Sequence, residues 1–241
     1  MRASLDASGW SATLRTERRA LNLAEVVGAY YRRPSTWDLP ADLSAAERRW
    51  SASEARYGFG GVMEVAVPWL NAPAAIGRAE YKPVQLHAAV RAGLRVPATL
   101  ITNAPEAARR FAREHDGRLI YKSLSGEIVS DDEGVKAIYT TAVTVDDSDD
   151  TSIVGTAHLF QEQITEKAFE VRITAVADVL FAVALRSESE LGRLDWRRDF
   201  KGLSYEVIPS AQVGAPEWRP RVRPAHSCAN DPDDDARCHG Y

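Results

Sequence analysis

The chain has only two cysteines and no long apolar run. Cys228 and Cys238 both lie near the C-terminal end, so no disulfide framework can hold the body of the fold together. The longest apolar runs, such as VLFAVAL at positions 179–185, are far shorter than the roughly 20 residues that a membrane-spanning helix needs. The polar N-terminus carries no apolar signal region. These absences predict a cytoplasmic protein that has no membrane partner.

A strong net charge is also missing. The 241 residues carry a formal charge of −4 with a pI near 5.8, which gives no general attraction to nucleic acid or anionic membranes. Short basic stretches such as WRRDFK are read as solvated surface. The sequence contains neither a P-loop nor a nucleophile elbow. It does contain 45% apolar residues, enough for a hydrophobic core, so we expect one large or two small globular domains.

The first part of the chain, residues 1–78, reads as a partial α/β domain. WSATLR and RRALNL, separated by a polar turn, predict a β-hairpin. Ser44 and Glu47 predict a capping box at the start of a helix. The opening MRASLDASG is too polar for the buried first strand of such a domain. We therefore expect that the opening strand and crossover helix of this domain are absent.

Residues 79–213 read as a second domain in which helices and strands first alternate. VPATLITN and RLIYKSL are predicted strands, and between them a helix begins at Pro105 with Asn103 as its cap. Further along, FEVRITAVAD and VLFAVALRSES predict an antiparallel hairpin. In the remaining residues, 214–241, several prolines and a charge run predict a disordered tail.

Two lysines and the polar end of a strand are the residues that indicate a nucleotide-binding site. Lys122 follows the apolar run Leu119-Ile120-Tyr121, an unusual place for a merely solvated lysine, and strand-borne lysines suit phosphate binding. Lys82 begins a helix, where a lysine is common, so by itself it is better explained as a surface residue. In FQEQI, Glu162 could accept from an adenine amine while the backbone of Gln163 and Ile164 contacts the ring edge. The alternative is an exposed glutamate on an edge strand.

The order and spacing of several motifs resemble the ATP-grasp superfamily. The resemblance is to the ATP-grasp ribosomal peptide maturases, relatives of the microviridin macrocyclases, which carry a pre-ATP-grasp domain in front. It covers roughly residues 10 to 210 and rests on AYYRRP, WLNAP, the segment from YKPVQLHAAV onward, IYKSLSG, FQEQI, KAFEVRITAVAD and LDWRRD. It implies an α+β ATP-grasp fold, with an incomplete C-terminal subdomain, preceded by a partial pre-ATP-grasp domain.

The resemblance also implies roles for individual residues. Nucleotide contacts fall on Lys82, Lys122, Ser125, Gly126, Glu162, Gln163, Ile164 and Glu170. Catalytic roles at the acyl phosphate fall on Arg172 and Arg186, expected to face one reaction centre, although Arg172 could be a surface position in an alternating strand. The peptide substrate is expected near Arg197, Arg198 and Asp199. The implied cofactors are ATP and Mg²⁺, and the implied partner is a ribosomal precursor peptide with its leader, bound by a possible homodimer.

The implied reaction is an ATP-dependent ligation. An Asp or Glu side chain of the precursor attacks the γ-phosphate, and a hydroxyl or amine then captures the acyl phosphate to give an ω-ester or ω-amide crosslink. Two alternatives stay open at this point. One is an amino-acid ligase that extends a protein C-terminus with glutamate, and the other is a non-catalytic peptide-binding remnant.

The magnesium ligands of the family have no counterpart in this sequence. In the family an aspartate and a Glu-x-Asn segment follow the point reached here at GLSYEVIPS, and the chain offers no such segment. The aspartates at 231 and 233–235 are interpreted as a solvated charge run, and a zinc site among the His and Cys of the tail has the wrong spacing. We expect a fragment with a late start and a changed reading frame near Ala211.

Overall fold

The computed structural model of the chain describes residues 1–32, 34–125, 128–131, 134–144, 150–177 and 179–209. The predicted tail and Gly126 lie outside these residues. The chain divides into two compact units, Met1–His87 and Ala88–Tyr241, whereas the sequence analysis places its first boundary at residue 78. No helix in the described ranges has the length and apolar character needed to cross a bilayer.

The first unit contains a three-stranded antiparallel sheet and several short helices. In chain order its elements are β1 (Arg2–Asp6), β2 (Gly9–Arg15), β3 (Ala20–Asn22), β4 (Ala29–Tyr30), α1 (Ala45–Ala55), α2 (Gly61–Ala66), β5 (Trp69–Leu70), α3 (Pro73–Glu80) and the start of α4 (Lys82–Arg91). The β2–β3 hairpin confirms the predicted one. The polar opening residues also form a strand, β1, which lies at the edge of the sheet and is mostly exposed.

A small apolar core holds the first unit together. Ala12 of β2 is buried with Leu23, Val62 and Val67, so the sheet packs against the segment around α2. Trp69 packs at the margin of this cluster, and its indole N–H donates to the Met63 carbonyl at 3.1 Å. The indole is thereby satisfied while its ring covers the core.

The predicted capping box at the start of α1 is present. The Glu47 N–H donates to Ser44 Oγ at 3.3 Å, and the Ser44 N–H donates to the Glu47 carboxylate at 2.9 Å. The Ser44 hydroxyl donates to the same carboxylate at 2.6 Å. These hydrogen bonds hold the pKa of Glu47 below its usual value, the side-chain bond from Ser44 being the larger cause. The hydrogen bonds that Ser44 donates to the Glu47 carboxylate are therefore stronger while Glu47 is ionised.

We expect Ser44→Ala to destabilise the chain by about 1 kcal/mol, the usual contribution of an N-cap. Because the pKa of Glu47 is lowered in the folded state, its contribution is present above the unfolded-state pKa and is lost as the pH falls through the folded-state pKa. The difference between wild type and variant should therefore be larger at about pH 7 than at about pH 3. Urea unfolding at both pH values measures it, with Ser53→Ala in the middle of α1 as the matched control; equal losses for both variants would contradict the prediction.

In its described residues the second unit contains two antiparallel sheets, a hairpin and three α-helices after the end of α4. In chain order its elements are β6 (Thr99–Thr102), α5 (Pro105–Glu114), β7 (Leu119–Lys122), β8 (Ile128–Asp131), β9 (Gly134–Ala137), β10 (Thr141–Val143), α6 (Asp150–Val154), β11 (His158–Glu162), β12 (Glu170–Val176), β13 (Val179–Ser187), α7 (Glu190–Leu194) and β14 (Leu203–Ile208). The predicted helix-strand alternation and the β12–β13 hairpin are confirmed.

The first sheet of this unit has the order β10-β7-β11-β6, with α5 packed on one face. Ala108 and Ala112 of α5 are buried against Leu119 and Phe160 of the sheet, as the apolar spacing of the helix predicts.

The predicted cap of α5 is wrong. Ala104, not Asn103, occupies the N-cap position, with no side-chain hydrogen bond there. The Ala104 N–H instead donates to the Thr102 hydroxyl at 2.9 Å, which turns the chain before the helix begins.

The second sheet has the order β12-β13-β14 and follows in the chain. A two-residue turn joins β12 to β13, with Val176 opposite Val179. Ala177 in this turn has φ of 50°, the left-handed region that such a tight hairpin requires. Ala182 and Ala184 of the central strand are buried, so the sheet has a close-packed middle.

Candidate functional site

Lys122 ends β7, and the register of the sheet fixes the face on which it lies. It pairs with Leu159, and directly paired residues of an antiparallel ladder share a face. The neighbouring pair, Tyr121 and Phe160, belongs to the opposite face, which packs on α5. Lys122 is half-buried. A lysine at the end of a buried strand is therefore confirmed, and its contact with a phosphate stays a prediction.

The predicted hinge lies where β11 ends. Because β11 runs between β7 and β6, the alternative of an edge strand is wrong, although the Glu162 side chain is exposed. The Gln163 N–H donates to the Arg118 carbonyl at 2.9 Å, so this backbone donor is already engaged. Ile164 is 59% exposed, and within the described ranges its N–H has no hydrogen-bond partner. Of Gln163 and Ile164, only Ile164 thus has a backbone N–H that could donate to the base of a nucleotide.

The loop after Lys122 folds back on itself. Ser123 is buried, and its hydroxyl donates to the Ser125 carbonyl at 2.9 Å. Ser125 is exposed. Since Gly126 lies outside the described residues, a loop that covers phosphates with Ser125 and Gly126 stays a prediction.

Lys82 is the first residue of α4 and is half-buried. It belongs to the unit Met1–His87, whereas Lys122 belongs to the unit from Ala88 onward. A joint contact of the two lysines with one nucleotide therefore stays a prediction.

The two predicted catalytic arginines lie on opposite faces of the second sheet. Arg172 pairs with Val183, and Arg186 is three positions further along β13 than Val183, so the alternation of the strand turns it to the other side. The Arg172 guanidinium lies 5.7 Å from the Trp196 ring centroid, whereas Arg186 lies 4.4 Å from that of Phe169. The expectation that both face one reaction centre is corrected by this register, because side chains on opposite faces cannot converge through the sheet.

Glu170 and Arg186 each form an ion pair with another residue of the chain. Glu170, predicted to lie near the ribose, forms an ion pair with Lys167 three residues before it. Arg186 Nη2 lies 3.3 Å from the Glu206 carboxylate on β14. Arg172 shares its sheet face with Glu170, since the two are separated by one residue in β12.

The predicted substrate segment is anchored by a buried carboxylate, Asp195. Its two oxygens accept from Arg197 Nε at 2.8 Å and Arg197 Nη2 at 2.6 Å, a bidentate pair. The Thr140 N–H, 55 residues away in sequence, donates to the same carboxylate at 2.9 Å. Burial lowers the pKa of Arg197 from its usual value, yet the group remains a cation. Asp195 therefore ties this segment to the start of β10 in the first sheet.

Arg198 and Asp199 also have structural contacts. The Arg198 guanidinium lies 5.9 Å from the Tyr139 ring centroid. The Asp199 carboxylate accepts from the Ser189 hydroxyl at 2.5 Å and from the Gly202 N–H at 3.1 Å, which fixes the turn before β14. Both residues thus support the local fold, and their contact with a peptide stays a prediction.

A cavity of about 170 Å³ lies on the α5 side of the first sheet. Tyr121, Ile153 and His158 are among its lining residues. His158 Nε2 lies 3.1 Å from the Ser152 carbonyl, and its ring centroid lies 5.7 Å from that of Tyr121. Lys122 lies on the other face of the sheet and so does not line this cavity.

No protein-family model matches the chain, and no curated protein sequence matches it either. Solved structures do match. A RiPP-associated ATP-grasp ligase of Chryseobacterium gregarium, in complex with ADP and a leader and core peptide, is 26% identical with a TM-score of 0.75, covering 86% of this chain and 65% of that protein. RiPPs are ribosomally made, modified peptides. The chain has the ATP-grasp fold.

Two macrocyclases of Microcystis aeruginosa match the same fold. MdnC, bound with its precursor peptide MdnA, is 28% identical with a TM-score of 0.70, covering 86% of this chain and 66% of MdnC. MdnB is 26% identical with a TM-score of 0.65, covering 88% of this chain and 66% of MdnB. The chain thus spans less than two thirds of the length of each of these ATP-grasp proteins.

Magnesium, which the ATP-grasp resemblance implies, has no fitting ligand set in the described part of the chain. No group of three or more His, Cys, Asp or Glu side chains there could hold a metal ion. The carboxylates of Asp195 and Asp199 are both engaged by hydrogen bonds from their own segment.

Two residues of this ATP-grasp fold escaped the sequence analysis. Asp195 was quoted in LDWRRD but given no role, and its partner Thr140 is too distant in sequence to be identified. The sequence analysis predicts a nucleotide contact for Gln163 and none for Gln161. A signal for it existed, because Gln161 is two residues after the buried Leu159 and so falls on a buried position of an alternating strand.

Proposed function

We propose that the chain is an ATP-dependent ligase that crosslinks a ribosomally made precursor peptide. It activates Asp or Glu side-chain carboxylates as acyl phosphates and forms ω-ester or ω-amide bonds. The observation that carries the proposal is the match over 86% of the chain to a RiPP-associated ATP-grasp ligase in complex with ADP and peptide. The partner is then a precursor peptide with its leader, met in the cytoplasm, and the working unit is a homodimer.

The first step forms the acyl phosphate. A carboxylate oxygen of the peptide attacks the γ-phosphorus of ATP, and the bond to the β-phosphate oxygen breaks so that ADP leaves. Lys122 and Lys82 are assigned to neutralise the phosphates, with Glu162 and Ile164 at the base and Glu170 near the ribose.

The second step forms the crosslink. A hydroxyl or amine of the same peptide attacks the acyl carbon, loses its proton, and expels phosphate, so that each crosslink removes one water from the peptide overall. Arg172 is the better placed of the two arginines to meet a peptide, because it shares the neighbourhood of Trp196 with the predicted substrate segment. A guanidinium there can stabilise the developing negative charge.

Mass spectrometry of a precursor peptide tests this function. The full chain is incubated with ATP, Mg²⁺ and a leader-bearing precursor rich in Thr and Glu. The expected result is the loss of one water per crosslink together with release of ADP. A gain in mass by whole glutamate residues on a protein C-terminus would instead identify an amino-acid ligase.

Binding measurements complete the test. Peptide binding without any ADP release would identify a non-catalytic peptide-binding remnant and contradict the ligase. A control without ATP must leave the peptide mass unchanged. Sedimentation of the chain with and without peptide tests the homodimer separately, because a monomeric chain that still crosslinks would remove only that part of the proposal.

A further inference from the structure

The cavity on the α5 side of the β10-β7-β11-β6 sheet exists because α5 turns small residues towards the sheet. Ala108 and Ala112 lie one helical turn apart on the buried face of α5, and both line the cavity. The opposite wall is the sheet face that carries Tyr121 and Phe160. The cavity has a volume of about 170 Å³, and an apolar cavity of about 150 Å³ is large enough to take up benzene. One aromatic ring is therefore a molecule of the right size.

Most of the cavity wall is apolar. The lining residues with apolar side chains are Ala108, Ala112, Leu119, Val143, Ile153 and Phe160. A water molecule inside a protein needs two to four polar partners, and a group of waters would find few of them along this wall. The lining thus favours an apolar or aromatic occupant over water.

Three rings of the sheet face lie together in this wall. The ring centroid of Tyr121 lies 5.7 Å from that of His158 and 6.1 Å from that of Phe160, and the centroids of His158 and Phe160 lie 6.3 Å apart. These separations are typical of aromatic pairs, which pack edge to face or offset. A further planar ring can pack against the three rings in the same way, so the wall favours an aromatic over an aliphatic occupant.

Two polar groups on these rings are available to orient an occupant. His158 Nε2 lies 3.1 Å from the Ser152 carbonyl, and because a carbonyl only accepts, this nitrogen carries the proton. Nδ1 of the neutral ring is then an acceptor. Within the described part of the chain, neither His158 Nδ1 nor the Tyr121 hydroxyl has a hydrogen-bond partner. A ring that bears a hydroxyl can donate to His158 Nδ1, whereas a hydrocarbon ring cannot.

We propose that this cavity binds a phenol-type molecule, a single aromatic ring that bears a hydroxyl group. The ring lies between α5 and the three rings of the sheet face, and the hydroxyl donates to His158 Nδ1. This site goes beyond the proposed function and requires no nucleotide, since Lys122 lies on the other face of the sheet. The phenol ring can come from a free small molecule or from a tyrosine side chain of a peptide.

Titrations of the full chain with phenol and with toluene, followed by NMR, test the location of the site. The two molecules have similar size and differ by a hydroxyl in place of a methyl group, and wild type should bind both. Ala112→Leu fills the cavity and should weaken the binding of both molecules at least about tenfold, because the ring loses its space and its contacts. Ala46→Leu, the same substitution at an exposed position of α1, should leave both affinities unchanged.

A second variant tests the hydroxyl contact. His158→Phe keeps a ring in the wall and removes the acceptor. It should weaken the binding of phenol about fivefold, the value of one net hydrogen bond, and change that of toluene by less than about twofold. His87→Phe, at an exposed position of α4, is the matched control and should change neither affinity. Titration with N-acetyltyrosinamide separates the two sources of the ring, because only an open cavity admits a phenol that is attached to a peptide backbone.

The outcomes that overturn the proposal differ from one another. Melting without ligand shows which variants fold, and Ala108→Val replaces Ala112→Leu if the latter does not. If wild type does not bind phenol, the cavity is a packing void only. Phenol binding that persists in a folded cavity-filling variant lies elsewhere on the chain, and equal weakening of phenol and toluene by His158→Phe shows that no hydroxyl contact exists. Either result contradicts the proposal. None of these measurements involves ATP, so a failure of the proposed function is recognised separately.

Discussion

Replacing Lys122 with methionine is expected to weaken ATP binding by about tenfold to a hundredfold, the range that one charge-assisted hydrogen bond to phosphate represents. Methionine keeps most of the length of the apolar stem and removes the charge together with its N–H donors. Melting without nucleotide shows whether the variant folds. Calorimetric titration of the full chain with ATP and Mg²⁺ measures the effect.

Lys201 provides the matched control for this prediction. It lies exposed in a short turn of the same unit, Phe200–Gly202, and has no predicted nucleotide contact. Lys201→Met removes the same charge from the chain, so a general electrostatic attraction of ATP would be weakened equally in both variants. Equal affinities of Lys122→Met and wild type would remove Lys122 from the nucleotide site.

Local signals account for the parts of the fold that the sequence predicted. The capping box needs only Ser44 and Glu47 on one helical turn, and the β12–β13 hairpin needs two alternating runs with a two-residue gap. The wrong cap at Asn103 has a local cause too: the hydroxyl of Thr102, one residue earlier, bonds the Ala104 N–H and moves the N-cap by one position. When several polar residues precede a helix, the backbone geometry decides which of them bonds the first N–H groups. The residue types alone do not specify this geometry.

The opposite faces of Arg172 and Arg186 could have been predicted. A two-residue turn at 177–178 pairs each even-numbered position of β12 with an odd-numbered position of β13. Two even-numbered residues on the two strands must then lie on opposite faces. The family resemblance implies that the two arginines share a site. The register of the hairpin, which follows from the same residues, places them on opposite faces.

The contact between Asp195 and Thr140 had no local signal. Asp195 and Thr140 are 55 residues apart in sequence, and neither alternation nor capping rules specify a contact between such distant segments. The same limit applies to the hydrogen bond between Gln161 and Thr99, which are 62 residues apart. Sequence patterns thus indicate strands, caps and turns, whereas a contact between residues far apart in sequence needs the tertiary structure.

We expect Asp195→Asn to be the most destabilising of the substitutions considered. All the atoms that Asp195 contacts are donors: the backbone N–H and guanidinium of Arg197, and the Thr140 N–H. An asparagine keeps the shape but turns an N–H₂ group towards donors, and it leaves the half-buried Arg197 cation without its countercharge. Breaking a buried ion pair in this way costs on the order of 3 kcal/mol.

Thermal melting measures this loss. For a unit of this size about 3 kcal/mol corresponds to a drop in Tm of roughly 6–12 °C. Glu190→Gln is the matched control, because it neutralises an exposed carboxylate on the adjacent α7 and should shift the Tm by about 1 °C or less. A folded Asp195→Asn variant that melts with the control would show that the carboxylate does not hold the predicted substrate segment to the start of β10. A large drop in Tm would instead show that the Asp195 carboxylate holds the predicted substrate segment in place. Peptide crosslinking should then weaken in this variant even at temperatures where the chain is fully folded.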